Sequence, residues 1–263
     1  MKRTVLILIA TLLIATMYAQ TPIPNSNLTW KLENDTLIIS GTGVMPDFSD
    51  SDYDYAPWYN YSSLIKTVII GDSITTIGNF AFRGCFDITS IHISSSVTTI
   101  GFNALLHSPR LTEFIVEEEN VFYKVVDGVL FTINQDTLIH FPSAKSATTY
   151  SIPNSVTTIA DYAFFNHDLT RINIPNSVTT IRDGAFVGCY YLRYINIEAT
   201  VPPTLGNYAF FGTQYPVLVC VPRRSAKIYR KTEGWRNFNV KKIKRNGKQR
   251  MYWKPRSVVE HIT

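Results

Sequence analysis

The eight residues IPNSVTTI occur twice in this 263-residue chain, at Ile152–Ile159 and again at Ile174–Ile181. The second copy begins 22 positions after the first, and neither copy contains a histidine, cysteine, lysine or carboxylate. Residues of the types present carry little reactive chemistry. The duplication therefore indicates that a structural unit has been copied, which is typical of repeat architectures.

Weaker copies of the same unit extend through much of the chain. With a period of 22 to 23 residues, aligned copies begin at Leu64, Asp87, Leu169 and Leu192. In the stretch LTRINI, Ile172 and Ile174 alternate with polar residues, which predicts a short strand with one buried face. One such unit cannot bury its own apolar face, whereas a stack of units can.

The second half of each unit predicts a return path that is also partly buried. Alanine recurs at one place in it, as Ala81, Ala104, Ala163, Ala185 and Ala209. A small residue suits a place where neighbouring coils approach closely. We expect the phenylalanine that usually follows to point inward, as Phe82, Phe164, Phe186 and Phe210.

The repeat pattern L-x-x-I-x-I-P-x-S-V-T-x-I-G-x-x-A-F-x-G-C resembles the leucine-rich repeats of BspA-like (Treponema pallidum type) surface proteins. The segments LTWKLENDTLIISGTGVMPDF and APWY are similar to that family's N-terminal cap, and VDGVLF to its irregular hairpin-bearing repeat. VPRRSAKIYRKTEGW is similar to its closing segment, with Arg224 at a usual glycine. The resemblance implies a leucine-rich repeat solenoid with short parallel β-strands on the concave face. Irregular and short helical turns are then expected on the convex face, with a cap at both ends.

This interpretation divides the chain into five parts. They are a signal peptide at 1–19, an N-terminal cap at 20–61, the solenoid at 62–213 with its irregular coil at 110–146, a C-terminal cap at 214–240, and a basic tail at 241–263.

The N-terminus has the pattern of a secretory signal. Lys2 and Arg3 precede an apolar run from Val5 to Ala15, and a cleavage site is expected near Ala19 or Gln20. A signal anchor is the alternative. No later stretch approaches the roughly 20 apolar residues of a membrane helix, so no span is expected in the mature chain. The pattern predicts a secreted or extracytoplasmic protein, at the cell surface or in the periplasm.

Three cysteines are present in this export context. Cys85 and Cys189 occupy the same place in coils that are far apart, which predicts buried thiols and no disulfide between them. Cys220 lies on the polar side of the strand-like stretch VLVCVP, where we expect an accessible thiol.

Motifs for catalysis, nucleotide binding or metal binding were sought without success, and we expect no enzyme activity, no cofactor and no metal. The five histidines lack a second ligand at helical or hairpin spacing. Asp50, Asp52 and Asp54 have the spacing of a calcium loop, but Tyr55 and Tyr61 stand where such a loop needs Gly and Glu. A solvated cap loop is therefore the favoured interpretation.

Outward side chains of the predicted strands form two columns across the concave face. One column is Thr67, Ser90, Glu113, Thr149, Arg171 and Tyr194; its neighbour is Ile69, His92, Ile115, Ser151, Asn173 and Asn196. Solenoids bind ligands on such faces, although an ordinary solvated surface would also explain these residues. The predicted ligand-binding residues are Ser90, His92, Glu113, Arg171, Asn173, Tyr194 and Asn196.

The charge is divided unevenly along the chain. Residues 22–222 hold 9 basic and 18 acidic residues, whereas residues 223–263 hold 14 basic and 2 acidic ones. This asymmetry indicates either a solvated chain end or a foothold on an anionic surface. The residues predicted for that foothold are Lys241, Lys242, Lys244, Arg245, Lys248 and Arg250. Nucleic acid is not expected as a partner, because the chain is predicted to be exported and has no nucleic-acid motif.

The resemblance implies an adhesion or binding module whose partner is a host or neighbouring-cell protein or glycan. One alternative is a structural protein of the envelope without a soluble ligand. The other is a glycan-active hydrolase, for which Glu113 and Glu117 would be the carboxylate pair to check.

Overall fold

The chain forms a solenoid in which each regular coil contributes one strand to a front row and a shorter strand to a return row. A computed structural model describes residues 20–49, 55–106, 108–213 and 216–243. The expected signal peptide and the acidic residues Asp50, Asp52 and Asp54 lie outside these ranges. The sequence-predicted solenoid of parallel strands is confirmed.

The front row consists of two separate sheets. The first front sheet contains, in spatial order, β1 (Thr21–Pro22), β2 (Leu28–Glu33), β3 (Thr36–Gly41), β5 (Thr67–Ile70), β7 (Ser90–Ile93) and β9 (Glu113–Val116). The second front sheet contains β13 (Thr149–Ser151), β15 (Arg171–Ile174), β17 (Tyr194–Ile197), β19 (Leu218–Val221) and β20 (Asn239–Lys242). Pairing is antiparallel among β1, β2 and β3 and parallel between all later neighbours.

The return row is divided in the same way. The first return sheet contains β4 (Gly43–Val44), β6 (Ile74–Ile77) and β8 (Thr99–Ile100). The second return sheet contains β10 (Tyr123–Val126), β11 (Val129–Thr132), β12 (Thr137–His140), β14 (Thr158–Ile159), β16 (Thr180–Ile181) and β18 (Thr204–Leu205). β10 and β11 form the hairpin of the irregular coil, which lies between the two halves of the solenoid.

The core lies between the two rows and follows the repeat. Ile172 and Ile174 of β15 are fully buried, while Arg171 and Asn173 of the same strand are partly exposed. Inside the second half, the phenylalanine rings stack in one column, with centroids 4.8 Å apart between Phe164 and Phe186. The four phenylalanines that the sequence predicts to be inward are at most 6% exposed.

Tryptophans close both ends of the stack. The indole N–H of Trp58 donates to the carbonyl oxygen of Ala81 over 2.9 Å, next to the 3₁₀ turn at Tyr59–Leu64. At the other end, Trp235 donates to the carbonyl of Pro203 over 2.7 Å, within a second 3₁₀ turn at Trp235–Asn237. Helix α1 (Ala226–Tyr229) precedes this turn. Buried indoles with a satisfied N–H cover the core at each end and bond to the coil beside them.

The junction between the two halves is built on Asn120, a buried residue of the irregular coil. Its amide nitrogen donates to the carbonyl oxygens of Ser94 and Val97, and its Oδ1 accepts from the N–H groups of Phe122 and Tyr123. The Tyr123 hydroxyl accepts from the Ile100 N–H and donates to the Thr98 carbonyl, each over 3.2 Å. A tyrosine side chain therefore bonds to β8 at its outer edge.

The cysteines are buried, which corrects one expectation. Burial raises the pKa of the Cys85 and Cys189 thiols to about 12, as suits buried thiols. Cys220, expected to be accessible, is only 1% exposed. The reason is β20, which pairs with β19 and places Lys241 beside Cys220 on one side while Asn196 lies on the other. A small side chain in an inner strand is covered by longer neighbours.

Candidate functional site

The outward side chains of the two front sheets form the concave face, and their register follows the sequence-predicted columns within each half. Thr67 pairs with Ser90 and Ser90 with Glu113, while Thr149 pairs with Arg171 and Arg171 with Tyr194. In the described part of the chain no strand pairing joins β9 to β13. The expected continuous columns are therefore wrong at this point, where β9 belongs to the irregular coil and β13 to the regular coil that follows it.

In the second half, polar side chains on the concave face form a connected column. The amide nitrogen of Asn196 donates to Oδ1 of Asn173, and that of Asn173 donates to the hydroxyl of Ser151, each over 2.7 Å. An asparagine amide has two N–H groups and an oxygen with two lone pairs. Both asparagines thus keep hydrogen-bonding capacity for a ligand while the ladder holds their orientation.

The neighbouring column contains a cation stacked on an aromatic ring. The Arg171 guanidinium carbon lies 4.9 Å from the centroid of the Tyr194 ring, within the range of a cation–π contact. Both side chains are partly exposed. The structure thus brings four of the predicted ligand-binding residues together, namely Arg171, Asn173, Tyr194 and Asn196, and we call them the polar platform.

In the first half, the concave face has a different character. Ser90 is only 8% exposed and its hydroxyl lies 3.3 Å from that of Thr67, so it offers little surface to a ligand. His92 is partly exposed and Glu113 is exposed, but the column through His92 contains Ile69 and Ile115. These three predicted residues therefore do not join the polar platform.

The platform continues into two strands that the sequence did not assign to it. Asn196 pairs with Cys220 and Cys220 with Lys241, because β19 and β20 extend the second front sheet. These strands lack the repeat motif, although the polar Asn239 and Lys241 alternate with the buried Val240. That alternation of polar and buried residues is the sequence signal that could have predicted β20.

The predicted anionic-surface site is described only in part. Lys241 and Lys242 are exposed residues of β20, which extends two residues into the stretch expected to be tail. The remaining residues of that prediction, Lys244, Arg245, Lys248 and Arg250, lie outside the described residues. The anionic foothold stays a prediction.

Glu117, one of the two carboxylates of the hydrolase alternative, is bound to a neighbouring turn. Within residues 20–49, 55–106, 108–213 and 216–243, no group of three or more His, Cys, Asp or Glu side chains could hold a metal ion. Glu117 accepts a hydrogen bond from the Ser95 N–H over 2.7 Å, and so holds the adjoining turn. A search of the described residues finds no helix long and apolar enough to cross a membrane.

Two buried histidines lie beside the junction. His140 is 5% exposed, and burial, with a smaller contribution from the charge of His167, lowers its pKa to about 4. Burial also lowers the pKa of His167, whose Nε2 lies 3.0 Å from the Lys145 carbonyl and whose neighbours include Asp168. The neutral imidazole of His140 packs edge-on against Phe114.

We expect the depressed pKa of His140 to make the fold acid-sensitive. Unfolded chains take up a proton on this imidazole below about pH 6.5, which the folded chain resists, so stability is complete above that pH. As the pH falls toward about 4, the free energy of unfolding decreases by roughly 3 kcal/mol because of this imidazole. Urea unfolding near neutral pH and in mild acid measures the loss. A His140→Leu variant with the same pH slope would contradict the prediction.

The fold and the concave face define a leucine-rich repeat solenoid. The family model described as the BspA type leucine rich repeat region matches residues 56–143 and 139–228, with six copies. The chain therefore belongs to the BspA-type leucine-rich repeat family. A comparison with curated proteins found no match.

Solved bacterial structures are similar to this chain at low sequence identity. The Treponema pallidum leucine-rich repeat protein is 22% identical, with 72% of this chain and 86% of that chain covered and a TM-score of 0.37. A leucine-rich cell surface protein of Faecalibacterium prausnitzii is 16% identical, with 79% and 90% covered and a TM-score of 0.41. The pneumococcal vaccine antigen PcpA is 15% identical, with 84% and 98% covered and a TM-score of 0.39.

Proposed function

We propose that this protein is an exported, non-catalytic binding module of the cell surface or periplasm. It recognises a protein or glycan of a host or neighbouring cell through the polar platform. Family membership supports a binding or adhesion role in general, and the signal-like N-terminus supports export.

The observation that carries the proposal is the prearranged hydrogen bonding of the polar platform. Asn173 and Asn196 are held by the ladder that begins at Ser151, so their remaining donors and acceptors are already oriented. Preorganised groups lose less conformational entropy on binding. Arg171 and Tyr194 add two residue types that are enriched among the residues contributing most to binding energy.

The test begins with a pull-down from extracellular matrix and mucus, using mature chain from Gln20. The captured partner is then titrated against a triple variant in which Arg171, Tyr194 and Asn196 are replaced by alanine. We expect at least about a hundredfold weaker binding, since two residues of this kind each contribute about 1.4 kcal/mol or more. The melting temperature should change little, because all three side chains are partly exposed.

A matched control replaces one arginine, one tyrosine and one asparagine away from the front sheets. Arg236, Tyr190 and Asn154 are exposed and fit this purpose. A platform variant that folds normally and retains full affinity would contradict the proposal. Failure to capture any partner would favour a structural role in the envelope, and turnover of mixed polysaccharides would favour a hydrolase.

A further inference from the structure

A cavity of about 250 Å³ lies at the junction, where the return row is interrupted. One wall is the return loop of the coil before the junction, residues Ile100–Leu106, and the other is formed by Ala160, Asp161 and Tyr162 of the coil after it. Ile139 and His140 of β12 also line it. The cavity is separate from the concave face and independent of the proposed function.

The first wall ends in backbone donors whose equivalents elsewhere are paired. In the coil before it, the N–H groups of Phe80 and Phe82 donate to the carbonyls of Phe102 and Ala104, over 3.0 and 3.2 Å. Phe80 and Phe82 flank Ala81 just as Asn103 and Leu105 flank Ala104. Among the described residues, no acceptor is present for the N–H of either Asn103 or Leu105.

The opposite wall presents an unpaired acceptor at the matching position. In the last two coils, the carbonyls of Asp183 and Asn207 each accept from the preceding coil, over 3.0 and 2.9 Å. Asp161 is the equivalent of these residues, but no donor among the described residues reaches its carbonyl oxygen. The neighbouring Ala163 carbonyl does accept, from the Phe141 N–H over 2.8 Å. The irregular coil therefore completes only part of this rung of hydrogen bonds.

Two side chains in the cavity wall also lack partners. His140 is 5% exposed, and its Nε2 is buried without a hydrogen bond, as is Oδ1 of Asn103. Buried polar atoms without partners are rare because each costs free energy. The cavity is far larger than the roughly 30 Å³ that one water molecule occupies in the liquid. A ligand that pairs with these groups would remove that cost.

We propose that this cavity binds a short extended peptide segment of another chain, which completes the missing rung. Its carbonyl groups accept from the N–H groups of Asn103 and Leu105, and one of its N–H groups donates to the carbonyl of Asp161. One coil lies between the two walls, so they stand about two chain spacings apart, roughly 10 Å, which admits one extended strand.

The chemistry of the walls favours a peptide over a sugar. The donors and the acceptor stand at positions that other coils fill with peptide groups, so their spacing is already that of a polypeptide. Phe102 on one wall and Tyr162 on the other have ring centroids 5.9 Å apart and can contact an apolar side chain. The same cavity is lined by two charged residues, Arg182 and Asp161, whose Nη1 and Oδ2 atoms lie 4.0 Å apart.

The test is an NMR titration of ¹⁵N-labelled mature protein with acetyl-trialanine amide at millimolar concentration. We expect the amide protons of Asn103 and Leu105 to shift downfield and saturably, because they acquire acceptors. The same peptide N-methylated at every residue and ending in a dimethylamide has no N–H group, so it cannot donate to Asp161 and should not reproduce the effect. Absence of these shifts would overturn the proposal, and so would equal shifts with the N-methylated peptide or stronger binding of N-acetylglucosamine.

Variants locate the effect in the cavity. Ala160→Leu fills the cavity and should raise the peptide concentration at half saturation about tenfold or more. Val187→Leu makes a smaller, one-carbon enlargement on a coil whose rung of hydrogen bonds is complete, and should leave the titration unchanged.

His140→Leu removes an unpaired buried nitrogen. It should weaken peptide binding while the melting temperature of the free protein stays the same or rises. Peptide binding by His140→Leu that equals wild type would overturn the role of His140 in the site.

Discussion

Replacement of Phe186 by alanine is expected to lower the free energy of unfolding by about 3–5 kcal/mol. The ring is fully buried and lies between those of Phe164 and Phe210, with centroids 4.8 Å away on each side and ring planes within 9° of parallel. Alanine would leave a cavity in the middle of this stack, where the neighbouring coils are bonded to each other and can close it only in part.

Chemical denaturation of the variant measures this loss. Phe211→Ala is the matched control, because Phe211 lies one residue after Phe210 but is 65% exposed. The control should unfold within about 0.5 kcal/mol of wild type. If Phe186→Ala were as stable as wild type, the stack of phenylalanine rings would contribute nothing to the free energy of unfolding, and the prediction would be wrong.

Asn120→Ala is expected to lower the free energy of unfolding by roughly 3 to 4 kcal/mol, although it removes only a small polar side chain. The Asn120 side chain makes four hydrogen bonds with the backbone of two coils. Its loss leaves the carbonyls of Ser94 and Val97 and the N–H groups of Phe122 and Tyr123 without these bonds. The two bonds to the carbonyls are buried, and an unpaired buried polar group costs about 1–3 kcal/mol, whereas the bonds from Phe122 and Tyr123 are part-buried and their loss costs less.

The isosteric variant Asn120→Asp distinguishes the bonds that the Asn120 side chain donates from the bonds that it accepts. Aspartate keeps an oxygen for Phe122 and Tyr123 but turns a second oxygen toward the carbonyls of Ser94 and Val97. We expect instability at neutral pH that is partly relieved in acid, where a protonated carboxyl can donate one bond. Asn154→Ala, at an exposed position, should be silent. Wild-type melting of Asn120→Ala would contradict the assigned role.

The regular coils could be predicted because one physical requirement recurs in each. A stack of short strands demands apolar side chains at fixed intervals, and the burial of Ile172, Ile174 and Phe186 follows directly from that spacing. The repeat also aligned Arg171 with Tyr194 and Asn173 with Asn196, so their pairing could be predicted without a structure.

The remaining features depend on segments that do not follow the repeat. The burial of Cys220 requires β20, whose sequence has no repeat motif, and the front row is divided at the irregular coil, whose return path contains the hairpin β10–β11. The junction cavity arises because one return loop ends beside an irregular coil. Absent hydrogen bonds leave no pattern in the amino-acid sequence, and only the three-dimensional arrangement shows that Asn103 and Leu105 lack partners.

The return strands of the second half have a consequence for how such a chain changes length in evolution. β14, β16 and β18 meet with the same register, and the first two lie at the ends of identical eight-residue stretches. Neighbouring interior coils therefore contact each other through equivalent surfaces. Unequal exchange between the two stretches would add or delete 22 residues and leave both tryptophan caps against matching neighbours. The same exchange across the junction would meet no such match, which makes the second half the part of the molecule where coil number can drift.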